Sequence, residues 1–301
     1  MAPIPRTLRT PHPRRPLPLA LTLGIALLSA TATACGGSSS AEEKPAAART
    51  TSATAAKPEP KPKATPDDAP TLPPGPTGTT PVFSHGSRAH GKRVALTFDA
   101  DMTADQGPRA ARGERFDNPA LIATLRRLKV PATVFMTGTW ADQYPDQAKS
   151  IGADPQFEVA SHSYSHHAFA SPCYGLPTVP RGGARADVEK AFAAFRKAGV
   201  QHTVPYFRFP GGCHNPAVLK ELGPAKVTAV QWDVVSGDAF ARHPEPVAAE
   251  VLDKVRPGSV VVMHCTRSAA PATEAAVKKI VPQLRAKGYE FVKVSELIRD
   301  R

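Results

Sequence analysis

The chain has 301 residues, with 38 Lys and Arg against 26 Asp and Glu, a net charge of +12 and an isoelectric point near 9.7. Its 33 prolines are about twice the usual share and its aromatics only 6%, so it is not uniformly globular. A single long apolar stretch excludes a polytopic membrane protein, and four cysteines without a CxxC pair exclude a disulfide scaffold or a cysteine-based structural zinc site.

That apolar stretch opens the chain. Arg6, Arg9, Arg14 and Arg15 precede a run from Leu17 to about Ala30, followed by Thr31-Ala32-Thr33-Ala34-Cys35. Residues 1–34 read as an export signal, because the run is shorter than the ~20 residues a helix needs to cross a bilayer and Pro18 lies near its start. Small residues before a cysteine resemble a bacterial lipobox, with Ala32 where that motif usually has leucine. The resemblance implies that Cys35 is the lipidated first residue of an exported protein anchored to the outer face of the cell membrane; without lipidation the protein is secreted. Arg14-Arg15 points toward the twin-arginine route.

From Gly36 to Thr80, 34 of 45 residues are Pro, Ala, Thr, Ser or Gly, and Leu72 is the only larger apolar side chain. Such a segment cannot offset the entropy of ordering, so residues 35–80 are expected to form a tether and residues 81–301 the folded domain. That domain holds 29 basic and 21 acidic residues. Export and the lack of any nucleic-acid motif exclude nucleic acid as the reason. Anionic wall polymers, lipid headgroups or a merely solvated surface remain.

Beyond Thr80, seven strands are expected in chain order: Arg93 to Phe98, Ala132 to Met136, Phe157 to Ser161, Tyr206 to Phe209, Val227 to Trp232, Ser259 to His264 and Phe291 to Val294. Asn118-Pro119 caps a helix with Leu121, Ile122, Leu125 and Leu128 on one face. Further helices are expected over Ala184 to Ala198, Val247 to Val255 and Thr273 to Ala286. Repeated alternation of strand and helix implies an α/β fold with a parallel sheet, long enough to close into a barrel.

Five polar clusters fall at strand C-terminal ends, where α/β enzymes place their active sites. In Thr97-Phe98-Asp99-Ala100-Asp101, an extended chain points both carboxylates the same way. In Ser161-His162-Ser163-Tyr164-Ser165-His166-His167, one helical turn would put His162 and His166 on one face as zinc ligands, with His167 a less well-spaced substitute. Two imidazoles and one carboxylate leave a position for water, as catalytic zinc sites do. The other clusters are Arg208-Phe209-Pro210-Gly211-Gly212, Trp232-Asp233-Val234-Val235-Ser236-Gly237-Asp238, and Val260-Val261-Val262-Met263-His264. Alone, each has a bland reading as a turn, an acidic loop or a rim histidine.

In this order the five clusters resemble the motifs of the polysaccharide deacetylases, the NodB-homology domain of carbohydrate esterase family 4, over roughly Lys92 to Ile298. The resemblance implies a distorted (β/α) barrel of about seven parallel strands. It makes Asp99 the general base, Asp101, His162 and His166 the ligands of one divalent metal, Arg208 the group that orients Asp99, and His264 the general acid. The metal would be zinc, with Co2+, Ni2+ or Mn2+ as alternatives. Asp238 is the favoured partner of His264, with Asp233 the alternative; the Gly211 region would supply backbone donors to an oxyanion, and Val262, on the His264 side of its strand, would line the acetyl pocket. Three departures stand out: Ala100 separates aspartates that are usually adjacent, Gly211 replaces an aromatic, and the fourth motif is more widely spaced.

If Cys35 is lipidated, Cys173, Cys213 and Cys265 remain, an odd number in an oxidising compartment. Cys173 with Cys213 is the expected disulfide, because both lie in loops after neighbouring strands, and Cys213 with Cys265 is the competitor. The expected activity is removal of N-acetyl groups from an amino-sugar polymer such as cell-wall peptidoglycan, by a monomer. An O-acetyl esterase of xylan-type polysaccharide and a non-catalytic glycan-binding lipoprotein are the alternatives.

Overall fold

A computed structural model of the chain describes residues 69–301. The expected export signal, Cys35 and most of the tether lie outside the described residues. Nine strands form one parallel sheet: β1 Val82–Phe83, β2 Arg93–Ala100, β3 Ala132–Met136, β4 Phe157–Ser161, β5 Thr203–Phe207, β6 Thr228–Val230, β7 Val234–Val235, β8 Ser259–His264 and β9 Glu290–Phe291. Their order is β1-β6-β5-β4-β3-β2-β8-β7, with β9 also paired to β2. Helices α1 Gly107–Ala111, α2 Pro119–Arg127, α3 Gly138–Gln143, α4 Pro145–Gly152, α5 Ala184–Lys197, α6 Pro216–Leu222, α7 Pro244–Lys254 and α8 Thr273–Ala286 lie between strands, and α9 Val294–Arg299 follows β9.

Period-two alternation divides the core into two layers. Ala95 on β2, Phe135 on β3, Ala160 on β4, Tyr206 on β5 and Val260 on β8 pack together inside the curved sheet. Val94, Leu96, Phe98, Val134, Val159, Val261 and Met263, one residue out of phase, pack outward with residues of α2, α7 and α8. Both faces are therefore buried, as a parallel sheet requires. At α2 the Asn118 side chain accepts from the Leu121 N–H at 3.1 Å, and Leu121, Ile122 and Leu125 are buried, as the sequence pattern predicts.

The gap between the two edges of the sheet is bridged after β1. His85 and Ser259 form an isolated antiparallel bridge, and Gly86 N–H donates to the Gly258 carbonyl at 2.8 Å. Gly258 has φ +78°, and a Cβ there would stand 2.6–2.7 Å from the carbonyl oxygens of Ser87 and Gly86. Only glycine permits that approach. The barrel expected from sequence is thus a strongly curved, distorted one whose seam is held by a loop.

Several boundaries differ from the expected ones. Residues 69–80 belong to the domain: Ala69 and Leu72 pack against the inner core, the Tyr206 hydroxyl donates to Pro70 O at 2.7 Å, and Thr80 N–H donates to Leu219 O at 2.9 Å. Backbone groups make much of this contact, so a segment poor in apolar side chains still docks. β5 begins and ends earlier than expected because the chain turns at Pro210, and Val294 opens α9 instead of ending β9. Strands β1 and β7 were not expected, since two residues show no alternation.

Candidate active site

The inward phase of the strands assembles the mouth of the barrel. Asp99 on β2 lies opposite His264 on β8 in the ladder, and opposite Phe135 on β3. Arg208 leaves the end of β5 fully buried, and its Nη1 donates to Asp99 Oδ1 at 2.6 Å. The guanidinium lies 3.8 Å from the Phe135 ring centroid, and its Nε donates to Val230 O at 3.2 Å. This pair leaves Asp99 Oδ2 facing His162, whose Nε2 is 3.7 Å away.

His162 follows β4 and sets its other ring nitrogen, Nδ1, 3.0 Å from the Arg208 carbonyl. A carbonyl only accepts, so Nδ1 carries the proton and Nε2 turns a lone pair to the site. Burial lowers the His162 pKa to about 4 despite the opposing charge of Asp99, so the imidazole stays neutral. Burial likewise lowers the His166 pKa against the pull of Asp101. Burial alone would raise the Asp101 pKa, but His166, His264 and the Thr266 hydroxyl outweigh it and hold the carboxyl below its ordinary value. His166 Nε2 is 3.6 Å from Asp101 Oδ2, and the two imidazole centroids are 5.1 Å apart.

The expected helical turn between His162 and His166 does not form. Ser163 and His166 both adopt positive φ, 71° and 58°, so the segment is an irregular loop. Asp187 of α5 holds it by accepting from Tyr164 N–H at 2.7 Å, and the Ser163 hydroxyl accepts from His166 N–H at 2.9 Å. The loop converges the imidazoles by a route that residue spacing does not encode. His166, in preference to His167, meets Asp101.

Asp238 is the partner of His264. Its Oδ1 stands 2.8 Å from His264 Nδ1, and its Oδ2 accepts from His264 N–H at 2.7 Å and from the Thr273 hydroxyl at 2.6 Å. Burial alone would lower the His264 pKa, but the charge and hydrogen bond of Asp238, with Asp101 and Asp99 beyond, push it up to about 10. Asp233, the alternative, serves the barrel seam: it bridges Arg88 at 2.7 Å and accepts from Val260 N–H at 2.7 Å and Ser259 Oγ at 2.9 Å.

Val262 faces inward beside Thr97, two residues before His264, and is 5% exposed. Gly211 lies in the turn after Arg208 with φ +64°. A Cβ there would meet Cys173 Sγ at 2.7 Å and Tyr174 Cδ2 at 3.0 Å, so that space is already filled. The expected Cys173–Cys213 disulfide is formed, and Cys265 is a buried free thiol. Sequence reading missed Thr266, Thr273, Ser236 and Asp187, which hold the acidic and imidazole groups; only the position of Thr266, two residues after His264, hints at its role.

Among the described residues, no three His, Cys, Asp or Glu side chains already enclose a cation position. The donor set nevertheless fits a divalent metal: two neutral imidazoles, at least His162 with its lone pair presented, and one ionised carboxylate. Tetrahedral bonds of about 2.0–2.1 Å place neighbouring ligand atoms roughly 3.3 Å apart, so the Asp101–His166 pair needs to close by only a few tenths of an ångström from its 3.6 Å.

A family model described as polysaccharide deacetylase matches residues 86–230. Residues 86–230 thus match the polysaccharide deacetylase family. The match ends before Asp238 and His264, so the acid half of the site rests on the geometry above. The chain is 29% identical to a peptidoglycan-N-acetylglucosamine deacetylase of Bacillus cereus, over 69% of this chain and 89% of that protein. It is 27% identical to a chitooligosaccharide deacetylase of a Bradyrhizobium species, over 68% of this chain and 92% of that one. Its fold matches the crystal structure of a carbohydrate esterase family 4 pseudoenzyme from Bacillus anthracis with a TM-score of 0.59 at 24% identity, covering 76% of this chain and 70% of that one.

Proposed function

We propose that this protein is a metal-dependent hydrolase that removes N-acetyl groups from an amino-sugar polymer, peptidoglycan or a related glycan. The observation that carries the reading is the pairing of two differently tuned halves across adjacent strands. Asp99 is anchored by Arg208, and His264 is held cationic by Asp238. The likeness to a pseudoenzyme speaks to fold alone. The relatives named as deacetylases of N-acetylglucosamine polymers support the substrate class.

A divalent cation held by Asp101, His162 and His166 supplies a Lewis acid for the acetyl carbonyl and acidifies water. Zinc suits the two-imidazole, one-carboxylate set, with Co2+, Ni2+ and Mn2+ as substitutes. Asp99, with Oδ1 committed to Arg208, takes the proton of the attacking water on Oδ2. Backbone N–H groups near Gly211 donate to the developing oxyanion, and Val262 borders the acetyl methyl. When the carbon–nitrogen bond breaks, His264 passes its proton to the departing sugar nitrogen, giving acetate and a free amine. An amine leaves poorly without that proton, so the acid is indispensable for an amide. We place the protein outside the cell, held to the membrane by a lipid on Cys35, near its polymer substrate.

The test is incubation of metal-loaded protein with acetylated glucosamine oligomers, peptidoglycan fragments and acetylated xylan, with acetate and free amine measured separately. Matching acetate and amine are expected. Acetate without amine would move the assignment to an O-acetyl esterase. His264→Ala should slow amide hydrolysis far more than hydrolysis of an activated aryl acetate, whose leaving group departs unprotonated.

A further inference from the structure

Among the described residues, the exposed large apolar side chains are Val82 at 37%, Tyr174 at 83%, Val235 at 50% and Phe240 at 89%. The two most exposed lie in or against the turns that follow Arg208 and carry Asp238. Tyr174 covers Gly211, in the turn that follows Arg208. Phe240 lies two residues after Asp238, in the short 3-10 turn that follows β7. In sheet order β5 and β7 lie on opposite sides of β2, so the turns these two residues belong to follow strands on either side of the one that carries Asp99.

The backbone around Tyr174 is tied down although its ring is exposed. Its backbone is left-handed, with φ 46°, a conformation costly for any residue with a Cβ. The preceding Cys173 is bonded to Cys213, two residues beyond Gly211. The base of the loop is closed by Ala168 N–H to Pro177 O at 2.8 Å and Val179 N–H to Ala168 O at 2.9 Å, over Phe169, which packs on Phe207 and Phe209. A strained and stapled loop that presents an aromatic face to solvent beside a catalytic turn is the arrangement of a pre-organised contact.

We infer that Tyr174 and Phe240 are stacking platforms for the sugar units on either side of the unit being deacetylated, which makes the enzyme one that acts within chains and not on short ends. The inference rests on the amino-sugar polymer reading above. The pyranose ring has an apolar C–H face that matches an exposed aromatic. Contacts remote from the scissile amide contribute binding that a single sugar cannot use.

The test uses the full-length, metal-loaded protein and its Tyr174→Ala and Phe240→Ala variants on acetylated glucosamine monomer and pentamer and on an aryl acetate. Each substitution should raise KM for the pentamer about three- to tenfold, leave its kcat within twofold, and leave the monomer and the aryl acetate unchanged. Tyr174→Phe should restore the parent KM, and free-thiol titration should show that Tyr174→Ala keeps the parent's disulfide. Equal losses on all three substrates, or no change on the pentamer, would overturn the inference. Calorimetric titration of the pentamer into the same proteins separates the two readings. Turnover by the parent with unchanged pentamer affinity in both variants refutes the platforms alone. Pentamer binding that weakens in the variants, with no turnover by the parent, keeps the platforms and refutes the deacetylase.

Discussion

Replacing Asp238 by asparagine tests the acid half of the site most directly. In the native protein the His264 pKa is pushed from an ordinary 6.5 up to about 10 against a burial effect that lowers it. A shift of that size corresponds to ~5 kcal/mol, an upper bound because a bound cation cancels the part owed to Asp101. The amide side chain keeps an acceptor for Nδ1 but removes the charge, so burial should prevail and the imidazole should lose its proton below the native value. The general acid is needed protonated, so the alkaline limb of the kcat profile for N-deacetylation should move from near pH 10 toward or below 6.5. At about pH 8 the amide rate should fall more than roughly tenfold, with aryl acetate hydrolysis little changed. Stability follows the same linkage. The raised pKa gives His264 a contribution fully present below about 6.5 and lost as pH rises through about 10, so thermal unfolding of the variant near neutral pH should come several degrees earlier. An Asp238→Asn enzyme that kept the parent's alkaline limb, while Asp233→Asn moved it, would refute the reasoning.

Four further outcomes are expected. Metal analysis should find one divalent ion per chain, lost in His162→Ala and His166→Ala; Asp99→Asn should keep the metal and lose activity, whereas Asp101→Asn should lose both. The Cys173–Cys213 disulfide spans 40 residues, so the paired Cys173→Ser and Cys213→Ser substitutions should cost roughly 4 kcal/mol in denaturant unfolding. Moving the acid from 101 to 100, by Ala100→Asp with Asp101→Ala, should abolish metal binding and destabilise the fold by about 3 kcal/mol or more, because Ala100 is fully buried in the outer core; retained metal would contradict the alternation argument. Cys35→Ala should release the protein from the membrane fraction or block its maturation, as fractionation and mass spectrometry of the N-terminus would show.

The fold was legible where a strand is long enough to display its period. β3, β4 and β8 have the limits expected from their apolar runs, and α8 spans Thr273–Ala286 as expected. β1 and β7 carry two residues each and hold their places through partners: β1 pairs with β6, and β7 with β8. Such pairing is tertiary information. The same holds for residues 69–80, whose docking depends on the Pro70 carbonyl and the Leu72 N–H, groups of the backbone that composition cannot reveal.

The site was legible where strand alternation fixes direction and illegible where loops do. The sequence Asp99-Ala100-Asp101 works because Ala100 turns outward into the core formed with Phe98 and Met136, while the acids on either side turn to the mouth. A single intervening residue therefore keeps both carboxylates on one face. Their division of labour is set from outside the strand: Arg208 claims Asp99, and Thr266 with His166 claims Asp101. The histidine spacing pointed to the right pair through the wrong geometry, since four residues fit a helical turn and also a loop bent by two left-handed residues. The hydrogen bonds from Tyr164 N–H to Asp187 and from His166 N–H to the Ser163 hydroxyl hold the loop form. The Cys173–Cys213 link belongs with the strands, because β4 and β5 are neighbours and the loops after them must meet over the turn at Gly211. Where the scaffold is periodic, residue order alone thus assigns a side chain to the site; where it is not, the decisive partner lies on another element.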